Sequence, residues 1–114
     1  MNQSKIAVTK VGIHAVLIPQ ECITYQNCEE METRIQKVIG GNQSAVIFDC
    51  KEVSFLDSKA LEMLLRLQEK VHEQGGRMKI VGLNAVCRDI LIATRLINQF
   101  QTYPDMKEAI KDVS

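Results

Sequence analysis

The amino-acid sequence predicts one α/β domain with a mixed β-sheet of four to five strands and about four helices packed mainly on one side. Apolar residues make up 46% of the 114 residues and charged residues 25%, which is the composition of a globular domain with an adequate core. Short apolar runs alternate along the chain with amphipathic segments, which is typical of strand–helix–strand units. Since no linker, repeat or low-complexity stretch interrupts this pattern, residues 1–114 are predicted to form a single domain.

The first two strands are predicted to pair as a hairpin. The segment Ile6–Val11 alternates enough to form a strand, and His14–Ile18 is a second short apolar run. Gly12 lies between the two segments and permits a turn. Pro19 is expected to end the second strand, because its nitrogen cannot donate a ladder hydrogen bond.

An amphipathic helix is predicted next. Its apolar residues recur mostly at spacings of three and four and form one stripe: Cys28, Met31, Ile35, Val38 and Ile39. Asn27 followed by Glu30 has the spacing of a capping pair, and Gly40-Gly41 is expected to end the helix.

A βαβ unit is predicted in the middle of the chain. Ala45–Cys50 is a short apolar run that suits a central, buried strand. The residues from Lys59 to Gln74 form a second helix that Gly75-Gly76 ends, and Met78–Leu83 is the next strand. Because the connections are short, the two strands are expected to be parallel neighbours.

The remaining segments predict two helices and an edge strand. Asn84 can cap a third helix. That helix carries these residues on one face: Cys87, Ile90, Leu91 and Thr94. Phe100 and its neighbours are expected to form a short edge strand. Asp105 with Glu108 has capping-box spacing and opens a last helix through Ile110.

Charge and hydropathy exclude two classes of partner. The formal net charge is zero and the basic residues alternate with acids, so no basic cluster is available to bind nucleic acid. No run approaches the roughly 18 apolar residues of a membrane span, and Met1–Lys10 lacks the apolar core of a signal peptide. We therefore expect a cytoplasmic protein.

The cysteines and histidines predict neither a metal site nor a disulfide scaffold. The four cysteines form no C-x-x-C pair and are expected to be reduced thiols: Cys22, Cys28, Cys50 and Cys87. His14 and His72 lie far from ligand spacing and are expected to have ordinary structural roles. The chain also lacks a phosphate-binding loop, a dinucleotide fingerprint and a nucleophile elbow. We expect no cofactor and no enzymatic activity.

The connection from the central strand to the second helix is the candidate functional segment. Ser58 lies where this helix should begin, at the carboxyl end of a parallel strand, where ligands and partners usually bind. A phosphate on Ser58 would face the unpaired N–H groups of the helix start. Plain helix capping by Ser58 would also account for a serine here, and the residues alone leave both possibilities open.

The second helix has an unusually wide apolar surface. One set of its residues is expected to face the sheet: Leu61, Leu64, Leu65 and Val71. Ala60, Met63 and Leu67 form a neighbouring apolar strip at spacings of three and four. This strip is either additional core or a surface for a partner.

The segment from Ala45 to Leu96 resembles a known family. The motifs that carry the resemblance are Val46-Ile47-Phe48-Asp49, Phe55-Leu56-Asp57-Ser58, Leu61, Gly75-Gly76 and Val81-Gly82. In this order and spacing they resemble the STAS domain, and more narrowly the bacterial anti-sigma-factor antagonists, over nearly the whole chain. The resemblance implies a STAS-like fold.

The resemblance also implies a phosphorylation switch in signal transduction and transcription regulation. Ser58, which follows Asp57, would be phosphorylated by a GHKL-type serine kinase that is itself an anti-sigma factor, and a PP2C-type phosphatase would reverse the modification. The unphosphorylated antagonist would bind that kinase and free the sigma factor. The partner-binding residues expected from the motif and the apolar strip are Glu21, Cys22, Ile23, Asp57, Ser58, Lys59, Met63 and Leu67. The alternative is a non-switching STAS scaffold subunit of a larger signalling or transport assembly.

Three departures from the family pattern lie in this segment and its neighbour. Lys59 stands where members commonly have a second Ser or Thr, and Ala60 stands where they usually have Gly. The stretch Gln20–Ile23 keeps Glu21 but lacks the Gly and Asp of the acidic loop Gly-Glu-Leu-Asp. The missing Asp belongs to the family's partner-facing surface, so its absence indicates a different partner or a weaker interaction with the kinase.

Overall fold

Five strands and four helices make up the computed structural model, which describes residues 4–40, 43 and 45–112. In chain order the elements are β1 (Ile6–Val11), β2 (His14–Pro19), α1 (Cys28–Ile39), β3 (Ala45–Asp49), α2 (Ser58–Glu73), β4 (Arg77–Val81), α3 (Ala85–Ala93), a 3-10 turn (Ile97–Gln99), β5 (Gln101–Tyr103) and α4 (Met106–Lys111). This is the mixed α/β architecture predicted from the sequence.

The strands lie side by side in the same order as they occur in the chain, β1-β2-β3-β4-β5. The strands β1 and β2 pair antiparallel, with Ile6 opposite Pro19, so the predicted hairpin is confirmed. The other three pairings are parallel, and Val46 of β3 lies opposite Met78 of β4. The predicted parallel βαβ unit is therefore confirmed, with β3 at the centre of the sheet.

The two faces of the sheet are covered unequally. Side chains from one face, such as Leu17 and Phe48, pack with α1, α2 and α3 in the larger core. The opposite face contributes Val16, Ile47 and Val81 to a smaller cluster with Ala109 of α4. In the described part of the chain, three helices thus lie on one face and the six-residue α4 lies on the other.

The wide apolar surface of α2 is core, which corrects the expectation that its extra strip contacts a partner. Ala60, Met63 and Leu67 are each 0% exposed. The reason is that α2 packs on β4 and also beside α1, so its apolar arc must cover a helix as well as a sheet. Met63 and Leu67 are therefore not part of an exposed contact surface.

The predicted helix caps are confirmed at two helices and wrong at one. The side chain of Asn84 accepts a hydrogen bond from the N–H of Cys87, and that of Asp105 from the N–H of Glu108. Asn27 precedes α1 without capping it by its side chain, because its φ and ψ of −126° and −9° are not those of an extended capping residue. Its side chain holds the preceding loop instead, accepting from the N–H of Thr24 and donating to the carbonyl of Cys22.

Candidate functional site

The loop between β3 and α2 lies at the carboxyl edge of the parallel strands. The N–H of Cys50 donates to the carbonyl of Val81, and the N–H of Val53 donates to the carbonyl of Cys50. These two bonds fix the first turn of the loop. Val53 and Leu56 are each 1% exposed and anchor the loop in the core. Ser54, between them, is exposed, so the loop presents part of its chain to solvent.

Asp57 caps α2 and joins two loops with one carboxylate. Its Oδ1 accepts a hydrogen bond from the N–H of Ala60 at 3.0 Å, which is the geometry of an N-cap. Its Oδ2 accepts one from the N–H of Tyr25 at 2.7 Å, in the loop between β2 and α1. Since Asp57 is the cap, Ser58 becomes the first residue of the helix, and plain capping does not explain the serine.

The loop between β2 and α1 is held beside the loop that precedes Ser58. The N–H of Ile23 donates to the carbonyl of Phe55 at 3.1 Å, and the N–H of Asp57 donates to the carbonyl of Ile23 at 3.2 Å. These bonds form an isolated parallel bridge between Ile23 and Leu56. A side-chain contact of 3.0 Å between Cys22 Sγ and Ser54 Oγ adds to it. The two candidate segments of the sequence thus lie together in space.

The predicted residues of the first segment have different environments. Ile23 is 0% exposed, so its side chain belongs to the core, and its expected contact with a partner is wrong. Cys22 is partly exposed. Glu21 is also partly exposed, and its carboxylate accepts a hydrogen bond from the N–H of Lys5 at 2.6 Å. Of these three predicted residues, Glu21 and Cys22 can present side-chain atoms to another protein.

The predicted residues of the second segment lie at the surface. Ser58 is exposed, and its hydroxyl has no hydrogen-bond partner within the part of the chain that the structure describes. Lys59 is also exposed, and its ammonium lies 3.8 Å from a carboxylate oxygen of Glu62 one turn further along. Arg66 continues this row of charges by pairing with Glu32 of α1, and that hydrogen bond raises the pKa of the guanidinium.

Two exposed aromatic residues beside Ser58 were missed by the sequence analysis. Tyr25 is 70% exposed and Phe55 is 44% exposed, and both belong to the two joined loops. The chain contains only two tyrosines and three phenylalanines, and Phe48 and Phe100 lie in the core. A signal was available, because Tyr25 stands in a polar stretch that matches neither a helix nor a strand pattern.

The three buried thiols are not activated. All four cysteines are free, as predicted: Cys22, Cys28, Cys50 and Cys87. Burial raises the pKa of Cys28, Cys50 and Cys87, which keeps these thiols protonated and poorly nucleophilic. His14 lies at the hairpin turn and His72 near the end of α2, so neither histidine accompanies Ser58 at the start of that helix.

Two further searches covered the described ranges 4–40, 43 and 45–112. No group of three or more His, Cys, Asp and Glu side chains in these ranges could hold a metal ion. None of their helices has both the length and the apolar character needed to cross a membrane.

Comparisons with known proteins identify relatives of this arrangement. The family model described as the STAS domain matches residues 5–109. No curated protein sequence matches the chain. An anti-sigma factor antagonist from Mycobacterium paratuberculosis has a similar structure, with 23% sequence identity, a TM-score of 0.85, and coverage of 94% of this chain and 91% of that chain.

Two other similar structures are those of a Bacillus protein and a murine transporter. The Bacillus cell fate determinant SpoIIAA, in its phosphorylated form, is 16% identical with a TM-score of 0.71, and 96% of this chain and 100% of that chain are covered. The murine Solute Carrier 26 family member A9 anion transporter is 15% identical with a TM-score of 0.78. That match covers 90% of this chain but only 18% of the transporter, so the same fold also occurs as a small part of a large protein.

Proposed function

The chain belongs to the STAS domain family, and on that basis we propose that it is a bacterial anti-sigma-factor antagonist, controlled by phosphorylation of Ser58. It acts in the cytoplasm by binding proteins rather than by catalysis. In the unphosphorylated state it binds a serine kinase of the GHKL type that otherwise restrains a sigma factor. Phosphorylation of Ser58 by that kinase ends the interaction, and a PP2C-type phosphatase restores it.

The observation that carries this proposal is that Asp57 and Ser58 have different roles at the start of α2. Asp57 makes the capping hydrogen bond to Ala60, whereas the exposed hydroxyl of Ser58 has no such structural role. A kinase can therefore take the hydroxyl into its active site without first breaking a hydrogen bond of the fold. Transfer of the γ-phosphoryl group from ATP to Ser58 Oγ releases ADP, and the hydroxyl proton passes to a base of the kinase.

The helix start supports the idea that the fold tolerates this phosphate. The first N–H groups of an α-helix have no intrahelical acceptor and favour an anion. The carboxylate of Asp57 already accepts a hydrogen bond from the N–H of Ala60. The N–H groups of Ser58 and Lys59 are left to bind a phosphate. The ammonium of Lys59 is a nearby positive charge, although an exposed pair of this kind contributes only about 0–1 kcal/mol.

The partner surface of this proposal differs from the one expected from the sequence. Tyr25 and Phe55 replace the buried Met63 and Leu67 as its apolar contacts. Large aromatic side chains at the centre of an interface often contribute most of its binding energy. A phosphate on Ser58 would add about −1.5 to −2 charge to the surface that carries these two aromatic residues and would oppose their desolvation.

A phosphorylation assay tests the switch directly. The chain is incubated with ATP and a GHKL-type serine kinase from the same organism, and the intact mass is measured. We expect a gain of one phosphoryl group that is lost in Ser58→Ala and kept in Ser54→Ala. Ser54 is a matched control, because it is an exposed serine of the same loop. No gain, or a gain that persists in Ser58→Ala, would contradict the proposal.

A non-switching scaffold is the second candidate function, and one observation favours it. The structural match to the murine anion transporter places this fold within a large transport protein. In that case a partner captured by the chain would bind equally well to Ser58→Asp, Ser58→Ala and the unchanged protein. The switch proposal requires instead that Ser58→Asp loses the partner while its circular dichroism spectrum stays the same.

A further inference from the structure

A cavity of about 290 Å³ lies at the amino ends of β3 and β4. Ser58 follows the carboxyl end of β3, so the cavity and the candidate switch lie at opposite edges of the sheet. Its walls come from the β1–β2 turn, the first residues of β3 and β4, and the end of α4. The residues that matter for its chemistry are Ile13, His14, Ala45, Arg77, Lys79 and Ile110.

The register of the sheet and the short α4 together explain why this space is open. Ala45 of β3 lies opposite Arg77 of β4, and the register of β2 with β3 places His14 beside Ala45. Ala45 has the smallest side chain of these three neighbours, so it leaves a space between His14 and Arg77. Among the described residues, helix α4 covers the middle of this face but ends at Lys111, so it leaves these three neighbours partly uncovered.

Positive charge is concentrated around the cavity. Lys79 is only 6% exposed, and its ammonium donates to the carbonyls of Ala109 and Asp112 at the end of α4. An ammonium has three N–H donors, so these two contacts leave one for a further acceptor. Arg77 adds a second cation to the lining, and His14 adds an imidazole. Asp112 is the acidic residue of the lining, and its carboxylate accepts the hydroxyl of Tyr103.

The environment of Lys79 is favourable to an anion. A buried ammonium is costly unless carbonyls, aromatic rings or negative charges compensate it. Two carbonyls and the ring of Tyr103, whose centroid lies 5.4 Å from the Lys79 nitrogen, supply part of that compensation. The Asp112 carboxylate lines the same cavity, and a bound anion would add to this compensation and would also pair with Arg77.

We propose that this cavity binds a small organic anion. Its carboxylate or phosphate group would lie against Lys79 and Arg77, and a compact apolar part would pack on Ile13 and Ile110. The volume is near the lower end of the range for small-molecule pockets, which limits the ligand to a compact molecule. The site does not depend on the proposed function, because it contains no residue of the Ser58 surface.

An NMR titration of the amide resonances tests this site with three probes of similar size. Benzoate and phenyl phosphate carry the two anionic headgroups, and benzyl alcohol is the neutral control. We expect at least one anion to shift the amides of His14, Ala45, Arg77 and Ile110, with affinity about tenfold higher than that of benzyl alcohol. Whichever of the two anions binds more tightly then shows whether the site prefers a carboxylate or a phosphate.

Two exposed positions give a matched pair of variants. Arg77→Gln should weaken anion binding about tenfold, because it removes one charged hydrogen-bond donor from the site. Lys107→Gln removes the same charge from the exposed side of α4 and should leave binding unchanged. Ser58→Ala should also bind normally, which separates this test from that of the switch. The absence of shifts with all three probes, equal responses to benzoate and benzyl alcohol, or equal affinities in the two charge variants would overturn the proposal.

Discussion

At the scale of single residues, the neighbours Asp57 and Ser58 have separate roles. Asp and Ser are both favoured at helix N-caps, so the sequence alone could not decide which of them caps α2. The backbone decides it, because Asp57 has the extended φ and ψ of a cap, −98° and −177°. The exposed position of Ser58 could be predicted from the sequence, whereas its freedom from capping required the structure.

This assignment predicts different costs for two alanine substitutions. Asp57→Ala removes the cap of α2 and the acceptor for the N–H of Tyr25, and should lower the free energy of unfolding by about 1–2 kcal/mol. Ser58→Ala should change it by less than about 0.5 kcal/mol. Asp57→Asn keeps one acceptor oxygen for the N–H of Ala60 but has no second acceptor for the N–H of Tyr25, so it should recover only part of the loss. Urea unfolding measures all three, and equal losses in the two alanine variants would mean that Ser58 is structural.

At the scale of secondary-structure elements, α2 shows what periodicity can and cannot establish. The spacing of its apolar residues predicted the helix and the breadth of its apolar surface. It could not predict what covers that surface, because the position of α1 beside α2 results from long-range packing. Asn27, which precedes α1, is a similar case: its spacing from Glu30 is that of a capping pair, but its backbone does not have the conformation of a cap.

A charge at Met63 should therefore unfold the protein. Met63→Glu places a carboxylate where the side chain is fully buried, and we expect it to lower the free energy of unfolding by several kcal/mol, on the order of 3 to 5. His72→Glu introduces the same residue on the exposed side of α2 and should cost about 0.5 kcal/mol or less. Thermal unfolding followed by circular dichroism compares them. A Met63→Glu protein with an unchanged midpoint would show that Met63 is accessible.

At the scale of the whole molecule, the sequence predicted the architecture better than the site. Short connections predicted the parallel β3 and β4, and the hairpin signal predicted β1 and β2. The bridge between Ile23 and Leu56 had no local signal, because it joins two irregular loops that are distant in the chain. That bridge brings Tyr25 to the side of Ser58, which explains why the aromatic part of the surface was missed.

The attachment of α4 to the sheet should make global stability sensitive to alkaline pH. Burial, and then the hydrogen bond to Asp112, raises the pKa of Tyr103 to about 12 from an ordinary value of 10. The folded protein therefore binds more protons than the unfolded chain between these two values. The contribution of Tyr103 to stability is fully present below pH 10 and is lost as the pH rises to about 12.

A tyrosine-to-phenylalanine variant isolates this contribution. Tyr103→Phe should be less stable than the unchanged protein at neutral pH, because it loses the hydrogen bond to Asp112. The gap between the two proteins should narrow as the pH rises from 10 to about 12. Urea unfolding across this range measures the gap, and other alkaline titrations affect both proteins alike. If the difference in stability between the two proteins stays constant with pH, the raised pKa of Tyr103 makes no contribution to stability.

The order of the strands in the sheet has a consequence for how the chain folds. Each strand pairs only with the strands that precede and follow it along the chain, from β1 to β5. No pairing has to wait for a segment from the far end of the sequence, so each closure spans only the connection between consecutive strands and costs less conformational entropy than a closure across the whole chain. The three parallel pairings each close over a helix, so the contact order and the folding rate expected from it are those of mixed α/β domains. During synthesis on the ribosome each new strand would find its neighbour already present.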